Sequence, residues 1–187
     1  MPVIVSMLRG VNLAGHKKIG MDALRKLYES LGLRDAQTFI NSGNVIFRTQ
    51  GRNLAALSRR IEDAIEQSFG FRCDVIVRTI PELRDAIAGN PFAGRSGIEP
   101  GKLAVTFLAS DPGQEAREKV LRIKADPEEV RIAGRELYIY YPNGMARPKL
   151  TWPTLERILK TSGTARNWNT ARKLLEIAEG MEKPVSC

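Results

Sequence analysis

Three polar clusters carry the residue types that could do chemistry in this chain. The first is Leu8-Arg9-Gly10-Val11-Asn12, followed by a glycine-punctuated stretch with His16, Lys17 and Lys18. Arg9 offers a planar, permanently charged fork suited to carboxylate or phosphate oxygens. Gly10 and Gly15 let backbone N–H groups approach a ligand closely. The second cluster is Asn41-Ser42-Gly43-Asn44, where Asn41, Ser42 and Asn44 can each donate and accept. The third is Thr164-Ala165-Arg166-Asn167-Trp168-Asn169-Thr170. There Arg166, Asn167 and Asn169 stand before a late helix, whose start favours an anion. Each cluster also has a plainer use. Asn-Ser-Gly-Asn is turn chemistry, Arg9 and Asn12 can brace a long loop, and Asn167 and Asn169 can cap backbone. His16 on a Gly/Lys loop has no Ser, Cys or Asp partner near it in sequence, which favours a solvated residue over a catalyst.

What must position these clusters follows from periodicity. Val3–Leu8 is an apolar run ended by Arg9 and Gly10, a buried strand. Met21, Leu24, Leu27, Tyr28 and Leu31 have helical spacing, with Gly32 as the stop. Thr38-Phe39-Ile40 and Val45-Ile46-Phe47 flank the second cluster as a hairpin. Leu54, Leu57, Ile61, Ala64 and Ile65 form a second helical stripe behind Asn53, and Asp74-Val75-Ile76-Val77 is a fourth strand. Residues 1–79 therefore spell β-α-β-β-α-β, the ferredoxin-like order. In that order the first and third strands are antiparallel neighbours, which places Arg9 and Asn12 beside Ser42 and Asn44.

Residues 80–187 partly repeat the order. They show a helix from Pro81, a strand at Leu103–Leu108, a polar helix from Gln114, a hairpin about Gly134-Arg135, and helices at 151–159 and 170–178. The expected architecture is α+β: two ferredoxin-like (βαββαβ-type) subdomains with C-terminal helices, residues 1–79 and 80–187. The Gly/Pro-rich stretch 89–97 serves as the connection. No repeat is visible in the sequence itself, so the duplication rests on element order.

Composition bounds the function. Of 187 residues 43% are apolar and 27% charged, as in an ordinary globular protein. No stretch approaches the roughly 20 apolar residues of a membrane span, and the N-terminus lacks the basic segment and cleavage site of a signal peptide. Two cysteines, Cys73 and Cys187, argue against a disulfide framework and for a reducing cytoplasm. With one histidine the chain lacks a Cys/His zinc set, and the expectation is no metal and no cofactor. The net charge of +8 is uneven: +5 over residues 1–79, −1 over 80–142 and +4 over 143–187. The surplus falls with the clusters, and a field of that sign favours phosphorylated partners or nucleic acid. A basic protein with no anionic partner is the plain alternative.

At these residues the chain resembles a bacterial family called domain of unknown function 1697. The resemblance rests on Leu8-Arg9-Gly10-Val11-Asn12 with its continuation to Met21, on Asn41-Ser42-Gly43-Asn44-Val45, and on 164–175 around Arg166-Asn167-Trp168-Asn169-Thr170. Asn90-Pro91-Phe92 and Leu103-Ala104-Val105-Thr106-Phe107 are similar to the family's middle. The resemblance implies an α/β protein with ferredoxin-like subdomains; it brings no activity, cofactor or catalytic residue.

Three functions compete. The first is a binder of a small anionic ligand held by Arg9, Asn12, His16, Lys17, Asn41, Ser42 and Asn44, with Arg166, Asn167 and Asn169 as further candidates. The second is nucleic-acid binding through the basic flanks; the strands lack the stacking aromatics of an RNA-recognition sheet, which leaves backbone contacts. The third is an enzyme, for which no Ser/His/Asp set, phosphate loop or dinucleotide fingerprint is present. The binder ranks first. Oligomeric state is open.

Overall fold

A computed structural model describes residues 1–13, 15 and 17–182. The chain is mixed α+β, with two four-stranded antiparallel sheets and six helices. Contacts divide it into two units: Met1–Arg84 with the chain from Lys173 on, and Asp85–Arg172. The first division therefore falls inside a helix, and the last helix from Lys173 on groups with the first unit. The expected split at 79/80 assigned that helix to the second.

The first unit begins with β1 (Val3–Leu8), α1 (Met21–Ser30), β2 (Arg34–Phe39), β3 (Asn44–Arg48), α2 (Leu54–Phe69) and β4 (Val75–Thr79). Its sheet order is β2-β3-β1-β4. Leu24 and Tyr28 of α1 and Leu57, Ile61 and Ile65 of α2 repeat at four-residue spacing. They pack on one sheet face with Ile4, Leu8, Val45, Phe47, Val75 and Val77. The Asn53 side chain accepts from the Ala56 N–H to cap α2, and Gly70 at φ 76° ends it. The other sheet face, with Val5, Met7, Ile46, Ile76 and Arg78, is buried as well. Burial on both faces explains why β1 does not alternate and is apolar at every position but Ser6, whose buried hydroxyl is hydrogen-bonded to Tyr28 and the Val45 carbonyl.

The helix α3 (Ile80–Ala88) follows β4 directly and carries the chain into the second unit. There β5 (Leu103–Leu108), α4 (Gln114–Leu121), β6 (Glu129–Ala133), β7 (Glu136–Tyr140), α5 (Trp152–Leu159) and β8 (Gly163–Asn167) repeat the element order, and α6 (Trp168–Glu182) follows β8 as α3 follows β4. The sheet order β6-β7-β5-β8 is the same permutation. The register repeats too. The third residue of each central strand, Val5 or Val105, stands between Ile46 and Arg78 in one sheet and between Tyr138 and Arg166 in the other.

Three elements depart from the sequence reading. The strand β8 was not expected; residues 163–167 form an edge of the sheet rather than a loop before a helix. The last helix is longer than 170–178 at both ends, and Arg84 donates to Glu179 while Arg48 donates to the Met181 carbonyl, contacts that anchor its end within the first unit. The stretch 89–97, read as the connection, is packed within the second unit. Phe92 is buried against Tyr140 (ring centroids 6.2 Å), the Tyr140 hydroxyl donates to the Gly97 carbonyl, and Arg95 forms a two-bond pair with Glu129. Among the described residues no helix is long and apolar enough to cross a membrane, and no group of His, Cys, Asp or Glu is arranged to hold a metal.

Candidate functional site

Antiparallel pairing of β1 with β3 brings the first two clusters together. Leu8 donates its N–H to the Gly43 carbonyl at 2.9 Å. The approach is close: a Cβ on Gly43 would stand 2.6 Å from Val11 Cγ2 and 2.8 Å from Leu8 Cβ, and φ there is +75°. Glycine is thus required twice over, by conformation and by space.

Asn12 clasps this corner. Its Nδ2 donates to the Asn41 carbonyl (2.8 Å) and to the Ile19 carbonyl (2.9 Å), and its Oδ1 accepts from the Ile19 N–H (2.9 Å). Its own N–H donates to the Lys17 carbonyl. At φ 55° it sits in the left-handed region that Asn tolerates better than most residues. Both amide protons of Asn12 are consumed by carbonyls, so it braces the loop and has no donor left for a ligand. Asn44 is likewise a turn brace, buried and donating to the Phe39 carbonyl (3.0 Å) and to Ser42 Oγ (2.9 Å).

Arg9 also reaches the start of β4. Its Nη1 donates to Asp74 at 3.0 Å, and its backbone N–H to the Asp74 carbonyl. Lys17 follows it, donating Nζ to the Arg72 carbonyl at 2.8 Å beside the Phe71 ring. The segment they grip is itself strapped to α2. Arg72 pairs with Asp63 and Glu66 at 2.8 Å and Glu62 at 3.3 Å, contacts that hold its guanidinium firmly charged, and Glu62 accepts from the Val75 N–H. The sequence reading placed Arg9 with the 41–44 turn. The missed partner, Asp74, is the acid just before β4, the other neighbour of β1. His16 lies outside the described residues.

What stays open at the corner is a cleft of about 380 Å³ lined by Asn12, Leu13, Lys18, Ile19, Gly20, Met21 and Asn41. Lys18 and Asn41 are exposed on its rim. No hydrogen bond or ion pair engages either side chain among the described residues. An ammonium and an amide can hold a small anion through charge and directed donors. The start of α1 adds little, because Asp22 occupies its first turn.

The third cluster belongs to the second unit, where the Arg166 and Asn167 side chains bond to nearby backbone and side-chain groups. Arg166 is only 6% exposed and donates to Thr164 Oγ1 (2.7 Å) and the Ala165 carbonyl. Burial lowers its guanidinium to about 10. Asn167 caps α6: its Oδ1 accepts from the Asn169 N–H (3.0 Å), and its Nδ2 donates to the Gly101 carbonyl (2.9 Å). Trp168 is buried near Tyr138. Arg78, which the sequence reading passed over, is 1% exposed and takes the corresponding place in the first sheet.

The neighbouring cysteine is inert by geometry. Cys73 is buried, and burial pushes its thiol up to about 11. Cys187 lies outside the described residues.

The fold has a solved counterpart. A conserved bacterial protein, SP0830 from Streptococcus pneumoniae, superposes with a TM-score of 0.68 at 18% identity, over 95% of this chain and 98% of its own. At that identity the likeness is one of fold alone. No curated protein matches the chain. The family model described as protein of unknown function (DUF1697) matches residues 1–138. With most of its length matched by that model, the chain belongs to the DUF1697 family.

Proposed function

We propose that the protein binds a small anionic ligand, phosphate- or carboxylate-bearing, in the cleft between the 12–20 loop and the Asn41 turn. The observation that carries this reading is that a cleft survives at the corner with an uncommitted ammonium and amide on its rim. Lys18 supplies the charge and Asn41 a directed donor, while Asn12 fixes the distance between them. Of the residues expected to bind, Arg9, Lys17 and Asn44 are given to the frame rather than the ligand, and Ser42 supports the turn by accepting from Asn44. The groups on offer are those of a binding site: they place charge and donors, and no nucleophile–base pair is assigned.

The order β2-β3-β1-β4, with both helices on one face, supports reading each unit as ferredoxin-like, and a reducing cytoplasm remains the compartment that suits the two-cysteine composition. The test is a thermal-shift screen of phosphorylated metabolites and simple carboxylates at fixed salt. A ligand at 100 times its dissociation constant adds about 2.7 kcal/mol, roughly 5–10 °C for a chain of this size. Lys18→Ala is expected to abolish the shift without lowering the unliganded melting temperature. A full shift retained in Lys18→Ala would remove the cleft from consideration.

A further inference from the structure

A second group of open positive charges in the first unit lies away from the corner. It lies at the opposite end of the β2–β3 ladder, where Arg34 pairs with Arg48; the corner adjoins the Phe39–Asn44 end. Five residues of strand put the two places roughly 17 Å apart. A cavity of about 470 Å³ opens there, lined by Arg34, Arg52 and Arg60, by the Thr49–Asn53 connection, and by an apolar floor that includes Ala56 and Leu57. Its volume is that of a small-molecule site.

The charge balance of this cavity is one-sided. None of its lining residues is a carboxylate. Arg60 donates to the Leu31 carbonyl, which orients its guanidinium without neutralising it. Among the described residues Arg34 and Arg52 make no ion pair, while neighbouring Arg48 is paired with Asp35. The α2 helix beginning at Leu54 has no acidic residue in its first turn, so its field adds to the guanidinium charge. An adjoining cleft shares Ala56 and Arg60 and brings Arg59, and its one acid, Asp63, is already taken by Arg72.

Three like charges held around one cavity repel one another, and among the described residues no carboxylate pairs with any of the three. A tetrahedral, multiply charged group satisfies several guanidinium forks at once, whereas a single carboxylate fills one. We infer that this cavity is a second anion site, for a small molecule carrying a diphosphate group with an apolar or planar portion resting on Ala56 and Leu57. The site is independent of the corner cleft: it shares no residue with it.

The experiment is isothermal titration of the full chain with inorganic pyrophosphate, ADP and a short single-stranded oligonucleotide at two salt concentrations. The probes are compared for wild type, Arg34→Gln/Arg52→Gln, Arg52→Gln alone, and Lys18→Ala. Expected are saturable binding of pyrophosphate and ADP, an affinity at least tenfold weaker in the double variant with an unchanged melting curve, a partial loss in Arg52→Gln, and no change in Lys18→Ala. If the double variant unfolds, Arg52→Gln in its exposed connection carries the test. No binding by wild type at millimolar probe, or equal affinity in the arginine variants, would overturn the inference. An oligonucleotide that binds far more tightly than ADP, with affinity rising with its length, would overturn it in favour of a nucleic-acid backbone.

Discussion

Removing the Asn12 side chain tests whether this residue is a clasp or a ligand-binding group. Asn12→Ala deletes three hydrogen bonds, at 2.8, 2.9 and 2.9 Å, two of them to the backbone of Ile19, whose side chain is only 4% exposed. At about 1 kcal/mol net for each bond, the loss is about 3 kcal/mol. Alanine must also hold φ near 55°, which costs a further 1 kcal/mol or so. Asn12→Gly loses the same bonds but not the conformational term, so it is expected to fall about 1 kcal/mol short of the alanine loss. Urea unfolding followed by circular dichroism measures both, with an unchanged slope showing that the native and unfolded ensembles are otherwise alike. The alanine variant is expected to melt roughly 10 °C below wild type. Its Ile19 amide should exchange with solvent much faster. Alanine within about 0.5 kcal/mol of wild type would refute the clasp, being the size of an ordinary surface change. Glycine as costly as alanine would refute the conformational part of the argument.

Three further outcomes follow from particular contacts. Gly43→Ala places a methyl 2.6 Å from Val11 and 2.8 Å from Leu8 at a φ of +75°, so overpacking and backbone strain together should cost about 2–5 kcal/mol in the same unfolding assay. The Arg95 guanidinium holds the Glu129 carboxyl below its ordinary 4.5, so the folded state binds its proton less readily than the unfolded chain. The stabilisation is present above pH 4.5 and is lost as pH falls through the lower folded value; Glu129→Gln should flatten that part of the stability–pH curve, and an unaltered curve would show that the pair contributes nothing. In a Cys187→Ser background, Cys73 should resist alkylation at pH 8 until the protein unfolds, since its thiol is buried and raised to about 11; rapid labelling of the native state would contradict that.

The first unit was legible because its strands and helices announce themselves by periodicity. Val3–Leu8, the Leu57/Ile61/Ile65 stripe and the Asn-Ser-Gly-Asn turn each carry a local signal, and strand order alone then predicts that Asn12 meets the 41–44 turn. The strand β8 carried no such signal. Its buried residues are Gly163, Thr164 and Arg166, and its place is set by pairing with β5. Gly163 is there because Trp152, Leu108 and the Phe107 carbonyl would lie within 3.0 Å of any Cβ, a constraint invisible in one dimension. Arg166 illustrates the same limit from the other side. A guanidinium beside Asn and Trp suggests an exposed anion site, yet the alternation of β8 turns it inward, as that of β4 turns Arg78. The Arg9–Asp74 pair was missed because β1 has two neighbours, and Asp74, just before the second of them, is 65 residues away. The arginines of the second cavity are scattered at 34, 52 and 60, so no sequence window contains them.

The measurement that bears most directly on the proposed function is a titration of isotopically labelled protein with inorganic phosphate and a simple dicarboxylate, followed by amide nuclear magnetic resonance. Binding at the corner predicts saturable shifts of the Asn12, Lys18 to Met21 and Asn41 amides and of the Asn41 side-chain amide, all lost in Lys18→Ala. Shifts confined to Arg34 and the Thr49–Asn53 connection, or no saturable shift at the corner with either probe, would contradict it.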